Sequence, residues 1–339
     1  MYKTDKELGF TPIPNSQGVL QIHSLGLGIP IRYDTNGFRI PINDNNLSSD
    51  LSPVVLTLGD SFTYGYATHA NKTYPYWVGQ YLEGTVYNAG MFSYGLSQML
   101  ILARRLVPVY RPNYLIVQYS PWLAARSLKP LAPVYCGRIP IPYFYYKKKE
   151  GMALYLPVFS TIVTELSIER YKNMPKGVAD FISFLWNVGM PLFIYDDVNM
   201  TLYAFKKFFC FLPNPPTNSD YIIKNMPGVI KYTYDEIDRV AKKNRSKLVI
   251  VVLGDRHKPI NIPYHLLPLD SIIVDAHNTL LNRLQVADKE NYFRQYGHWR
   301  GSPPRLIDLH PNKDAHRIIA QEIVQNIKSI GKIQTERYY

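Results

Sequence analysis

Short apolar runs alternate along the chain with stretches of helical periodicity. Val54-Val55-Leu56-Thr57-Leu58 is a compact apolar run ending in Gly59, the pattern of a parallel strand buried on both faces. A helix-like pattern covers residues 74–82, and Val86-Tyr87 reads as a short second strand. Leu100, Ala103 and Val107 recur at helical spacing within 96–109, with Pro112 as a stop signal. Leu115-Ile116-Val117 is a further strand. An amphipathic helix is predicted over 232–243, then the strongest strand of the chain over 247–253 (KLVIVVL), and one more strand over 271–274. The last helix, over 314–330, carries Ile318, Ile319, Ile323 and Ile327. Strands alternating with helices predict an α/β core, a parallel sheet covered on both faces.

Two stretches break the rhythm. Residues 1–50 are rich in Gly, Pro, Asn and Ser and read as an N-terminal arm with turns, packed on the core. The stretch at about 139–225 is Pro- and aromatic-rich (IPIPYFYYKKK, FKKFFCFLPNPP) and reads as an insertion or cap. The expected organisation is therefore an arm over 1–50 and a single α/β domain over 51–339 that carries this insertion.

The chain has 339 residues, 46% hydrophobic and 19% charged, a globular composition in which collagen, coiled-coil and low-complexity classes have no place. No repeat of solenoid period is visible. Lys and Arg number 38 against 26 Asp and Glu, a net +12, and the pI is about 9.4. Such a field is either a solvated basic surface or one that favours anionic partners, an acidic glycan or membrane surface. The basic residues are spread over Lys147-Lys148-Lys149, 242–247 and the C-terminal tail. No nucleic-acid-binding motif accompanies them, so nucleic acid is disfavoured. Cys136 and Cys210 are too few for a disulfide framework and read as buried thiols.

The N-terminal sequence MYKTDKELGFTPIP lacks the basic start and apolar run of a secretory signal. The most apolar window, 181–195, is interrupted by Asn187 and Pro191 and is shorter than the roughly 20 residues that span a bilayer. A cytoplasmic or membrane-peripheral location is expected. The triplets headed by Asn46, Asn71, Asn199 and Asn244 matter only in a secreted eukaryotic chain.

Three blocks carry candidate chemistry. Gly59-Asp60-Ser61-Phe62-Thr63-Tyr64-Gly65 follows the first strand, where a parallel sheet binds ligands. A serine at that strand end exposes its hydroxyl and aims its own N–H at an oxyanion, although helix N-capping explains such a serine equally well. Asn88-Ala89-Gly90, then Ser93-Tyr94-Gly95 and Gln98, follows the second strand. Its glycine leaves an N–H open to close approach, or simply makes a turn. Asp308-Leu309-His310-Pro311-Asn312 precedes the last helix. An Asp two residues before a His on one loop can fix its tautomer, and the imidazole can then take a proton from a serine brought near by the fold. His257, His265, His277, His298 and His316 lie outside such a pairing and read as structural.

Together the three blocks resemble the SGNH (GDSL-type) hydrolases, over roughly 33–125 and 245–330. The segment Tyr33-Asp34-Thr35-Asn36-Gly37-Phe38-Arg39 is similar to the lead-in of bacterial members. The resemblance implies a flavodoxin-like, three-layer α/β/α fold with a central parallel sheet. It also implies Ser61 as nucleophile, His310 as base, Asp308 as its partner and Gly90 as an oxyanion donor. The family's third block carries an Asn that completes the oxyanion hole. Here Trp122 stands in that position, within Gln118-Tyr119-Ser120-Pro121-Trp122. Indole N–H is a donor, so Trp122 is the candidate substitute, with Gln118 and Ser120 as others.

The implied activity is cleavage of acyl esters, O-acetyl foremost, on a small molecule, glycan or lipid, through an acyl-enzyme and without metal or organic cofactor. An O-acyltransferase with the same triad is the close alternative. A catalytically weak module binding an acidic glycan or membrane surface is the alternative from another class.

Overall fold

The structure, a computed structural model, describes residues 1–22, 28–43, 51–134, 137–147, 151–157, 219–254 and 257–336. Cys136, Cys210, Lys148, Lys149, Asn46, Asn199, the apolar window 181–195 and most of the 139–225 insertion lie outside them. The chain divides into two compact units. One comprises 12–124 with 230–339, and the other 125–229 with 2–11.

The first unit is built on five parallel strands: β1 (Val54–Leu58), β2 (Thr85–Asn88), β3 (Tyr114–Tyr119), β4 (Lys247–Val252) and β5 (Ile272–Val274). Their order is β5-β4-β3-β1-β2. The compact apolar runs have the physical origin expected of them. Val55, Ile116, Val249 and Val251 point into one core cluster, and Leu56, Leu115, Leu248 and Ile250 on the opposite face are equally buried.

Helix α1 (Ser61–Tyr64) follows β1, α2 (Tyr74–Leu82) precedes β2, and α3 (Leu96–Tyr110) lies against β1 with Leu100, Ala103 and Val107 fully buried. A short α4 (Pro121–Ser127) follows β3, and α5 (Ser219–Lys243) leads into β4. Helices α6 (Ala276–Asn282), α7 (Lys289–Tyr296) and α8 (Lys313–Glu336) complete the cover. Ile319 and Ile323 of α8 pack into the same cluster as Val55 and Ile116. The α/β/α layering predicted from the alternation is thus the observed fold. Strand order reverses between β1 and β3, so the crevice at their carboxyl ends is the topological switch point where open α/β sheets bind ligands.

Helix α5 begins at Ser219, well before the predicted 232, because Met226-Pro227-Gly228 reads as a breaker in sequence yet lies within the helix. Helices α4, α6 and α7 and the hairpin His298–Arg300/Arg305–Asp308 were not marked by periodicity, since each is only a few residues long.

Within this unit, Gln17–Gln21, Gly28–Tyr33 and Arg39–Ile40 form a three-stranded antiparallel sheet. Its last turn is made by Asp34, which accepts hydrogen bonds from the N–H groups of Asn36 (2.9 Å) and Phe38 (2.8 Å), with Gly37 at φ +85°. The turn delivers Phe38 onto Tyr87 and Tyr110 and sends Arg39 into the interior.

The second unit holds antiparallel pairs, among them Leu131–Val134 with Gly137–Pro140 and Tyr143–Lys147 with Gly151–Tyr155, where the rings of Tyr143 and Tyr155 stack 5.5 Å apart. Among the described residues no helix is long and apolar enough to cross a membrane.

Candidate functional site

Strand β1 ends at Leu58, and α1 starts three residues later, so Ser61 sits at the sheet's carboxyl edge. Asp60 caps this helix, its Oδ1 accepting the N–H of Phe62 at 3.0 Å. Gly65 closes it at φ +80°, a left-handed conformation that disfavours other residues. The hairpin before α8 ends in Asp308 and releases His310 toward the same edge. The result is a three-residue chain. His310 Nε2 lies 2.9 Å from Ser61 Oγ, and His310 Nδ1 lies 2.7 Å from Asp308 Oδ1. The same carboxylate oxygen accepts the backbone N–H of His310 at 2.8 Å, so one group fixes both the ring and the backbone of the histidine. An ionised carboxylate only accepts, so Nδ1 carries the hydrogen and Nε2 turns its lone pair to the serine hydroxyl.

Burial alone pushes Asp308 up, but the bonds from the His310 ring and backbone outweigh it and hold the carboxyl below its ordinary value. The pair is part-buried, with 13% of the Asp308 side chain and 26% of the His310 side chain exposed. His298 lies opposite Asp308 in the hairpin and donates from Nε2 to the carbonyl of Pro311 at 3.3 Å. Burial lowers its pKa, against the pull of Asp308. Its sequence context reads as structural, and the cross-strand register places it beside the carboxylate.

The oxyanion candidates fall differently. The N–H of Ser61 has no hydrogen-bond partner among the described residues. Gly90 packs so tightly on α1 that a Cβ there would come within 2.6 Å of the backbone nitrogen of Tyr64. Its N–H donates to Asn88 Oδ1 at 3.0 Å, so an oxyanion would share this hydrogen with a neutral amide oxygen, the weaker acceptor.

Trp122 corrects its expectation. Its single indole hydrogen goes to Asp60 Oδ2 at 2.8 Å and is not offered to an oxyanion. Gln118 and Ser120 are likewise engaged. Gln118 Nε2 donates to Asp60 Oδ1 and to Ser120 Oγ, both at 2.8 Å, and Ser120 Oγ donates to the carbonyl of Leu253. Gln118 Oε1 accepts the N–H of Asp60 at 3.0 Å and the hydroxyl of Thr63 at 2.8 Å. The third block therefore builds a directional buried network around Asp60, one residue before Ser61.

Two further supports escaped the sequence. Arg39, 4% exposed, donates to the carbonyls of Tyr64, Gly65 (2.7 Å) and Thr68 (2.6 Å), filling the acceptors at the end of α1. Its guanidinium also lies 4.3 Å from the Tyr64 ring. His310 is flanked by aromatic rings, Tyr66 at 4.6 Å and Phe62 at 5.4 Å between centroids. His316, expected to be structural, is fully buried. Its Nδ1 accepts the N–H of Tyr74 at 3.2 Å, and burial drives its pKa down to about 3.

No family model matches the chain, and no curated protein matches it. Solved structures do. A GDSL-like lipase from Bacteroides thetaiotaomicron aligns at 11% identity over 82% of this chain and 89% of its own, with a TM-score of 0.36. A psychrotrophic esterase from Pseudoalteromonas aligns at 10% identity over 83% and 100%, with a TM-score of 0.35. A variant of an acetyl xylan esterase from Geobacillus stearothermophilus aligns at 12% identity over 82% and 95%, with a TM-score of 0.38. The likeness is distant, and it falls among solved structures that include GDSL lipolytic proteins and esterases, the group whose motif blocks this sequence resembles.

Proposed function

We propose that the protein is a serine-dependent hydrolase of acyl esters that works through an acyl-enzyme on Ser61. One observation carries this reading. Ser61, His310 and Asp308 form an unbroken hydrogen-bonded chain at the carboxyl edge of the sheet, although Ser61 and His310 lie 249 residues apart in sequence. In the proposed reaction Ser61 Oγ attacks the acyl carbonyl carbon and its proton passes to His310 Nε2, while Asp308 holds the ring and stabilises the imidazolium. The carbonyl oxygen, now negative, accepts from the N–H of Ser61 and draws the N–H of Gly90 from Asn88. The C–O bond to the alcohol breaks, and the alcohol leaves with the proton from His310. Water, deprotonated by the same nitrogen, then attacks the acyl-enzyme and releases the acid and free Ser61.

The test is intact mass after treatment with a serine-directed fluorophosphonate, followed by hydrolysis of p-nitrophenyl acetate. A single adduct on the wild-type protein, absent from Ser61→Ala, is the expected result. A wild-type protein that takes up no adduct and releases no nitrophenol refutes the reading.

A further inference from the structure

The residue that departs from the family pattern, Trp122, occupies one end of a row of rings. Its centroid lies 5.3 Å from Phe62, Phe62 lies 5.4 Å from His310, and His310 lies 4.6 Å from Tyr66, with interplanar angles of 49°, 56° and 42°. The row is anchored at both ends. The Trp122 indole is tied to the buried Asp60 carboxylate, itself held by Gln118 and the N–H of Phe62. Tyr66 follows the left-handed Gly65, and its N–H donates to the carbonyl of Ser61 at 2.9 Å. Phe62 and Tyr66 thus leave the same short segment that carries Ser61, and both rings lie against the imidazole.

From this we infer that Phe62 and Tyr66, backed by Trp122, are positioning residues that hold the His310 ring in line with Ser61 and stabilise the positive charge it acquires in the transition state. This rests on reading His310 as the base. The groups facing the ring are Ser61 and Asp308 through hydrogen bonds, Tyr66 and Phe62 through their rings, and His298 across the hairpin from Asp308. The aromatic quadrupoles favour the imidazolium over the neutral ring, so their contribution grows as the proton arrives. A tryptophan in the third block then has a use other than the lost oxyanion donor, as the ring against which Phe62 packs.

The test compares Tyr66→Leu with Tyr66→Phe in the full chain. Leucine keeps apolar cover and removes the ring, whereas phenylalanine keeps the ring. Tyr66→Leu should lower kcat by about twofold to thirtyfold, the range of a cation–π contact, with KM unchanged, and Tyr66→Phe should restore most of it. Equal losses in both variants, a loss confined to KM, or no loss in Tyr66→Leu overturns the inference.

A second arm needs neither activity nor a variant that folds. In the wild-type proton spectrum the carbon-bound imidazole hydrogens of His310 should be shifted upfield by the flanking rings relative to those of exposed His265. Resonances without that shift sink the aromatic row. A wild type that neither labels nor hydrolyses refutes the hydrolase and with it the use of the row in catalysis, whereas an active wild type without the upfield resonances overturns the row alone.

Discussion

Replacing Trp122 by phenylalanine separates two roles that the sequence position alone leaves confounded. Trp122→Phe removes the indole hydrogen 2.8 Å from Asp60 Oδ2 and retains a ring against Phe62. Asp60 is 1% exposed, and its carboxylate accepts several hydrogen bonds. These include bonds from the N–H of Phe62, the amide of Gln118 and the indole of Trp122. A hydrogen bond to a charged group contributes about 1.5–3 kcal/mol, and removing one donor leaves part of the desolvation of that oxygen uncompensated. The expected loss of stability is therefore about 2–3 kcal/mol, read as a lower denaturant midpoint at constant slope. The expected loss of kcat on p-nitrophenyl acetate is less than about tenfold, because Ser61, His310 and the Ser61 N–H keep their places. An oxyanion donor behaves in the opposite way, its removal lowering kcat by about 10²–10³ with little effect on folding. A variant with unchanged unfolding and a hundredfold drop in kcat would refute the network as the use of the indole.

Arg39→Met removes the guanidinium donors from the carbonyls of Tyr64, Gly65 and Thr68, leaving Gly65 only the N–H of Thr68, and should destabilise the protein by about 3 kcal/mol, measured by chemical denaturation. Gly90→Ala drives a methyl group against the backbone of Tyr64, so fluorophosphonate labelling of Ser61 should fall sharply even where the protein still folds. His316, held neutral by burial with a pKa near 3 against an ordinary 6.5, binds its proton only in the unfolded chain between those values. Stability should therefore decline as pH falls from about 6.5, by roughly 2 kcal/mol at pH 5 from this group alone, with buried His298 adding the same sign. Denaturation curves that superimpose at pH 6.5 and pH 5 contradict this. Asp308, whose carboxyl is held low, adds stability that is lost only below its ordinary 3.8.

The sheet is legible in the sequence because its strands are buried on both faces and leave short apolar runs at 54–58, 115–117 and 248–253. The serine and the Asp-x-His pair are legible because strand ends and helix entrances have recognisable composition. What surrounds them is not. The direction of the Trp122 indole depends on Asp60 lying across the switch point from β3, a spatial fact that no spacing encodes. Arg39 reads as one more basic residue in a chain with net +12, and nothing local distinguishes a cation destined for the interior. Phe62 and Tyr66 stand four residues apart, but the ring both of them contact comes from the other end of the chain.

The support that Arg39 gives to the end of α1 bears on the order in which the molecule is assembled. Ser61, Asp308 and His310 all lie downstream of Val54, yet the carbonyls of Tyr64, Gly65 and Thr68 that follow Ser61 accept from Arg39, on a strand of the N-terminal segment, and His310 arrives from the hairpin before the last helix. Closing contacts of such separation is slow, because the entropy of the intervening loop opposes them until the sheet has formed. A refolding chain should therefore recover its sheet and its buried aromatics before Ser61 becomes reactive. On the role proposed for Ser61, its labelling by a fluorophosphonate would time the last step of folding rather than the first.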